Sequence, residues 1–313
     1  MSMTLTQLEY IAALDTYRHF ALAAEKCFVT QPTLSMQVQK LEEELGIKIF
    51  DRTKQPVIPT EIGESIIAQA RVVLRESTLI QQLITDQQDT LTGELRIGII
   101  PTLAPYLVPP LFKVMREKYP QLQLVLKEAI TEEVILELKN NRLDCGVVVT
   151  PLKDSAIKEQ VLFYEELFVY VSSKNALANK QFVLPNEIDP NQLWLLEEGH
   201  CFRSQVLNLC ELRKSGHFPF HYETANMETL KRMVDKSDGM TILPELAVRE
   251  FSPEQLSLVK HIKGPSPARE VSLVTHRHHI KTKLIEVLKA EILDIVPESM
   301  RQIKGKKILD INY

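Results

Sequence analysis

Gln31-Pro32-Thr33-Leu34-Ser35-Met36-Gln37-Val38-Gln39-Lys40-Leu41-Glu42-Glu43-Glu44-Leu45, followed by Gly46, decides how this 313-residue chain is read. Thr30 in front of it is a natural helix N-cap, Pro32 suits a first turn, and Gly46 suits the C-terminal end. Leu34, Val38, Leu41 and Leu45 recur at helical spacing and mark an inward face. Thr33, Ser35, Met36, Gln37 and Lys40 are left outside. Just upstream, Phe20-Ala21-Leu22-Ala23-Ala24-Glu25-Lys26-Cys27 predicts a short alanine-rich helix, and Phe28-Val29-Thr30 a turn. Small alanines where two helices cross, a three-residue turn and an exposed face of Gln, Ser and Thr define a helix-turn-helix. A first helix precedes it, with Leu5, Leu8, Ile11, Ala12 and Leu14 on one face. Residues 47–59 predict a two-stranded wing carrying Lys48, Arg52 and Lys54. The competing reading is a generic three-helix protein-binding module. The cluster Lys40, Lys48, Arg52 and Lys54 beside a polar helix face favours double-stranded DNA, although Glu42, Glu43 and Glu44 crowd the helix end. Gln31, Pro32, Thr33, Ser35, Met36, Gln37 and Lys40 are then candidate groove contacts, and Arg52 and Lys54 candidate phosphate contacts.

Thr60 caps a long helix predicted to reach about residue 88. Ile66, Ala70, Val73, Ser77, Ile80 and Ile84 alternate in steps of four and three, a seam of nearly three heptads. That pattern predicts a homodimer with two reading heads for two half-sites. Beyond Thr92-Gly93, strand and helix patterns alternate. Strands are predicted at 95–99, 122–126, 143–149, 168–171, 194–196, 240–243 and 271–275. Helices are predicted at 105–118, 131–140 and 226–238, with a short one from Pro244 and a last one after Lys281. The fold class is α/β with mostly parallel sheets. The organisation is a winged helix-turn-helix over 1–60, a linker and dimerisation helix over 61–91, and an α/β regulatory domain over 92–313. The basic tail 301–307 reads as solvated.

Ligands in such sheets meet strand C-terminal ends and helix N-termini, and Thr102, Thr131 and Cys201 occupy such places. Gly199-His200 breaks an apolar run, and Cys201-Phe202-Arg203-Ser204-Gln205-Val206-Leu207-Asn208-Leu209-Cys210 predicts a helix. A thiol at its N-terminus, beside His200 and Arg203, is expected to have a lowered pKa. Nine helical residues rise about 13.5 Å, whereas a disulfide needs Cα atoms within about 7 Å. Cys201 and Cys210 therefore pair only if the helix is dismantled.

The composition narrows the class. No apolar run reaches the roughly 18 residues of a membrane span, and no leader pattern opens the chain, so a cytoplasmic protein without membrane contact is expected. Four cysteines do not make a disulfide framework; Cys27 and Cys145 read as core residues. The net charge of −4 does not by itself announce a nucleic-acid partner.

The chain resembles the LysR-type transcriptional regulators along essentially its whole length, on 20–59 ending in Gly46-Ile47-Lys48-Ile49-Phe50-Asp51-Arg52. It is most similar to their hydrogen-peroxide-sensing branch, on Ile100-Pro101-Thr102, Leu143-Asp144-Cys145, Gly199-His200-Cys201 with Cys210, and Met227-Glu228-Thr229-Leu230. The resemblance implies an effector fold like a periplasmic binding protein, with subdomain I at about 92–165 and 269–300 and subdomain II at about 166–268. It implies a homotetramer that contacts RNA polymerase. It implies that Cys201 is the peroxidatic and Cys210 the resolving cysteine, and that Thr102, Thr131, His200 and Arg269 form the peroxide pocket. No cofactor is implied.

Other readings stay open at this level. Thr131 and His200 could simply cap helices. Arg269, in a Pro265-Ser266-Pro267-Ala268 loop, could form a surface ion pair. Cys201, Cys210, His217 and His221 have a zinc-like C-x8-C-x6-H-x3-H order, but the cysteine gap is too long for a usual knuckle. His276, His278 and His279 look metal-like and read as a solvated loop. The remaining alternatives are a LysR-type regulator answering a small metabolite and a thiol peroxidase-like enzyme. The helix-turn-helix and the lack of C-x-x-C argue against the enzyme.

Overall fold

The computed structural model describes residues 3–85, 91–210, 224–279 and 281–310, without the side chains of 75, 78, 79 and 81–85. His217 and His221, the end of the predicted long helix at 86–88, and the side chain of Ile84 therefore lie outside the described residues. The chain divides into two compact units, Met1–Asp89 and Thr90–Tyr313.

In the first unit, α1 (Leu5–Tyr17), α2 (Phe20–Lys26) and α3 (Gln31–Leu45) are followed by β1 (Phe50–Asp51), β2 (Ile58–Pro59) and α4 (Glu61–Thr85). Thr30 caps α3 with its hydroxyl oxygen, and Gly46 ends it in the left-handed conformation at φ 69°. Leu8, Ile11, Leu14, Ala23, Ala24, Leu34, Val38 and Leu41 form one core. Leu5, expected on that face, is exposed, and Ala12 and Leu45 are half-buried. The wing is a two-residue antiparallel pair, Phe50 opposite Pro59 and Asp51 opposite Ile58. Its base rests on α4. The Thr60 hydroxyl accepts from the Gly63 amide at 3.0 Å and donates to the Lys48 carbonyl at 2.7 Å. A Cβ on Gly63 would lie 2.0 Å from the Ile49 carbonyl oxygen.

Half of the predicted dimer seam is used within the unit. Ala70 is buried in the core, with Ile66 and Val73 packed against it. Arg71 on the same helix donates to the Asp15 carboxylate at 2.6 Å. Ile80, further along, is 65% exposed. The first turns of α4 thus brace the reading head, and an apolar position remains outward on the later turns.

The second unit runs β3 (Gly93–Ile99), α5 (Ala104–Lys118), β4 (Leu122–Glu128), α6 (Thr131–Lys139), β5 (Cys145–Thr150), β6 (Ile157–Val171), β7 (Phe182–Val183), β8 (Leu193–Trp194), α7 (Cys201–Leu209), α8 (Met227–Lys236), β9 (Met240–Pro244), α9 (Glu245–Val248), α10 (Pro253–Ser257), β10 (Val259–Ile262), β11 (Ser266–His276), α11 (Thr282–Ile295) and β12 (Lys306–Ile308). The sheet order is β4-β3-β5-β11-β6-β10-β7, with β9 on β6, β8 on β9 and β12 on β11. It is mixed, which corrects the mostly parallel expectation. β3 is parallel to β4 and β5, but β11 is antiparallel to both β5 and β6, and β6 is antiparallel to β9 and β10. The long strand β6 pairs with β11 through Glu166 and with β9 from Leu167 onward. One strand thereby joins two α/β lobes, the architecture of a periplasmic binding protein.

One further correction and one refinement concern the C-terminal third. Arg269 lies in strand β11, not in a loop. The basic tail is ordered into β12, parallel to β11 with Ala268 opposite Ile308, and Lys306 Nζ donates to the Tyr164 carbonyl at 2.8 Å. The tail's backbone is thus held, while Arg301, Lys304 and Lys307 stay exposed, so most of its charge is solvated as expected.

Gly63→Ala is expected to destabilise the first unit by about 1–3 kcal/mol, because the added methyl meets a backbone carbonyl that cannot move aside cheaply. Denaturant unfolding of the full chain, followed by a probe in residues 1–89, checks this.

Candidate redox pocket and DNA-reading face

The pocket lies where strand β3 ends, helix α6 begins and helix α7 begins. Gly199, at φ 91°, makes the turn into α7 that an L side chain would strain. His200 has extended backbone and Cys201 is the first helical residue. Thr102, Ile130, Thr131, His200, Cys201 and Phe202 line a cavity of about 200 Å³, mouth included. The space within it suits a molecule about the size of water.

Thr102, Thr131 and His200 line the cavity, while Arg269 does not and stands behind Thr102. Thr131 is itself the first residue of α6 and caps nothing; Ile130 is the N-cap residue. The Thr131 hydroxyl instead donates to Cys201 Sγ at 3.8 Å. His200 makes no side-chain cap either; its Nε2 lies 3.6 Å from a Glu197 carboxylate oxygen. Arg269 is fully buried, so the surface ion pair is excluded. Its Nη1 donates to the Thr102 hydroxyl at 2.8 Å, its Nη2 to the Thr102 carbonyl at 3.3 Å, and its Nε to Glu165 Oε2 at 2.8 Å. The guanidinium carbon stands 5.1 Å from the centre of the Phe202 ring. Glu165 and Phe202 were not singled out from the sequence. Phe202 adjoins the thiol, but Glu165 is 104 positions from its partner and carries no local signal.

The lowered thiol pKa expected for Cys201 is overturned. Burial pushes it up, and the Arg269 charge and the Thr131 hydrogen bond recover only part of that rise, while the Glu132 carboxylate adds to it. Cys201 is only 8% exposed. Arg203, the other cation expected beside it, turns away to donate to the Leu196 carbonyl at 2.7 Å. The buried Cys210 thiol ends α7 and is pushed up to about 12 by burial. Both cysteines are free, as are Cys27, at the end of α2, and the buried Cys145 on β5.

On the reading head, Gln31, Pro32, Met36 and Lys40 of α3 are exposed, and Thr33, Ser35 and Gln37 are half-buried. Gln37 is steadied by the Gln7 amide at 3.4 Å. Lys54 is exposed, but Arg52 is partly engaged within the chain. It donates to Glu42 at 3.0 Å and covers the Phe20 ring at 5.2 Å. Glu42, which the sequence places with two solvated neighbours, is 1% exposed. Its other oxygen accepts the amides of Ile49 and Phe50 at 2.8 and 3.1 Å, which ties the recognition helix to the wing.

Residues 5–64 match the lysR family of bacterial regulatory helix-turn-helix proteins, and residues 88–296 match the LysR substrate binding domain. The chain belongs to the LysR family of transcriptional regulators. It is 37% identical over 274 residues to the "Hydrogen peroxide-inducible genes activator" of Haemophilus influenzae, covering 87% of this chain and 90% of that one. Among solved structures it resembles a full-length OxyR variant from Pseudomonas aeruginosa, with a TM-score of 0.81 at 34% identity over 93% of this chain and 95% of that one. It also resembles a hydrogen-peroxide-bound OxyR variant from Corynebacterium glutamicum, with a TM-score of 0.59 at 25% identity over 94% and 93%.

Because the Cys201 thiol is raised rather than lowered, its alkylation by a neutral reagent such as iodoacetamide should keep climbing with pH, without a plateau below about pH 9. Arg269→Gln should slow it further at neutral pH by removing the cation that favours thiolate. Peptide mass spectrometry of timed samples separates Cys201 from the other thiols.

Proposed function

We propose that this protein is a DNA-binding transcription regulator that senses hydrogen peroxide through Cys201. The observation that carries the reading is a free thiol at a helix N-terminus, hydrogen-bonded by Thr131, in a cavity sized for a very small molecule and backed by a buried arginine. The names of the relatives support it, and so does the peroxide held by the related Corynebacterium glutamicum variant.

The chemistry follows from the groups present. The Cys201 thiolate attacks one peroxide oxygen, the O–O bond breaks, and hydroxide leaves and is protonated. Thr102 and Thr131 orient the peroxide, His200 closes the pocket, and the positive Arg269 favours the thiolate and the departing charge. Cys201 becomes a sulfenic acid. The Cys210 thiol then condenses with it, giving a disulfide and water. In total two thiols are oxidised while one peroxide is reduced to two waters. The pairing requires α7 to open, since its nine residues hold the two ends about 13 Å apart. Opening α7 withdraws Phe202 and Val206 from the core, so the change spreads beyond the loop.

The exposed α3 residues Gln31, Pro32, Met36 and Lys40, with Thr33, Ser35 and Gln37, enter the major groove, while Lys54 and the outer edge of Arg52 meet phosphates. The protein works in the cytoplasm as a homodimer and homotetramer that engages RNA polymerase. Its redox change alters which half-sites are occupied. It consumes peroxide only as signal. A regulator that answers a metabolite is disfavoured by the small cavity.

Treating reduced protein with one equivalent of peroxide should yield a Cys201–Cys210 disulfide by mass spectrometry, and Cys201→Ser should abolish the response while still binding DNA. Peroxide-treated protein that carries no modification on Cys201 would falsify the assignment. Separately, Lys54→Ala should weaken binding to all DNA sequences alike and reduce the slope of log affinity against log salt by about one unit. A change in base preference with an unchanged slope would remove Lys54 from the phosphates.

A further inference from the structure

We propose that Glu165 is a positioning residue for the sensing thiol, fixing the Arg269 guanidinium and withdrawing part of its charge from Cys201. This rests on the reading of Cys201 as the peroxide-reactive thiol. Glu165 lies on β6 next to the point where that strand passes from one lobe to the other, and its side chain is fully buried. Oε2 accepts from Arg269 Nε at 2.8 Å and lies 2.7 Å from Nη2. Oε1 accepts from the Leu246 amide of α9 at 2.9 Å. Thr102 takes the other edge of the guanidinium. With both edges held, the plane has one orientation against Phe202, the residue that follows Cys201.

An arginine with a carboxylate on one edge acts on its surroundings more as a dipole than as a full charge. In a buried site that difference is large, because little water screens it. Facing the pair are Tyr106 on α5, whose hydroxyl donates to Glu228 on α8, and Glu245 on α9, which also faces Glu166 on β6 and Lys306 on β12. Facing Cys201 are Glu132 on α6 and, on its own segment, His200 with Glu197. Glu165 alone among them both bonds Arg269 directly and can be neutralised at constant shape.

The sign of the effect separates this role from a merely structural one. Glu165→Gln keeps the size and one acceptor but removes the negative charge. The thiolate would then face an uncompensated cation and be favoured, even as the fold is weakened by a buried unpaired charge. A residue that only braces the pocket would, when altered, loosen it and slow the chemistry.

The experiment uses the full-length reduced protein and measures the pH dependence of Cys201 alkylation by iodoacetamide, with peroxide oxidation measured in parallel. Glu165→Gln should lower the apparent Cys201 pKa and speed alkylation about threefold to tenfold at neutral pH, a pKa unit being tenfold in thiolate, while the melting temperature falls. A folded Glu165→Gln protein with an unchanged or raised Cys201 pKa overturns the proposal. If that variant does not fold, Arg269→Gln is compared with the Glu165→Gln, Arg269→Gln double variant, which removes both charges. Faster alkylation in the double variant supports the proposal, and equal or slower alkylation overturns it. Failure of the underlying reading is seen separately, as wild-type Cys201 that peroxide leaves unoxidised.

Discussion

Arg269 and Glu165 are both wholly out of water, on the paired strands β11 and β6, beside the point where β6 passes between the lobes of the regulatory unit. Burying a lone guanidinium or carboxylate is costly, and removing one partner of such a pair costs about 3–5 kcal/mol, whereas an apolar pair of the same volume would often serve stability as well. The pair is therefore better understood by what it arranges than by what it stabilises. Glu165 reaches α9, Arg269 reaches the end of β3 through Thr102, and the guanidinium face covers Phe202 at the start of α7. The lobe junction, the pocket wall and the start of α7 share one ion pair, so none of the three can shift without disturbing the others.

The balance at the thiol follows from the same burial. A helix N-terminus and a nearby cation favour thiolate, but they act on a group that has lost nearly all its solvent, and desolvation is the larger effect. A low-dielectric pocket strengthens every charge aimed at a departing hydroxide and, for the same reason, holds the resting thiol protonated.

Local signals made much of this legible in the sequence. The reading head follows from Thr30, Pro32, Gly46 and the spacing of Leu34, Val38 and Leu41, because caps and periodicity are properties of neighbouring residues. Gly199-His200-Cys201 with Cys210 marked the pocket for the same reason. The long strand β6 was visible only at its apolar end, 168–171. Its first part, with Lys158, Glu159, Gln160, Glu165 and Glu166, hides the alternation behind charges, one of which is fully buried against a residue far along the chain. The start of β11 was masked by Pro265 and Pro267, although Pro267 sits in a parallel pairing with β12. Long-range pairing was the common blind spot, and it also concealed Glu42, which looks like one of three solvated glutamates until the wing folds over it.

That buried glutamate bears on the electrostatics of the reading head. Lys48 and Arg52 both lie within ion-pair distance of Glu42, at 3.6 and 3.0 Å, in a chain of net charge −4. Non-specific affinity for duplex DNA grows with the number of condensed counterions a protein displaces. A wing whose cations are already partly neutralised has less charge left with which to displace them. For a reading head so balanced, groove complementarity weighs more than raw adhesion in telling one sequence from another.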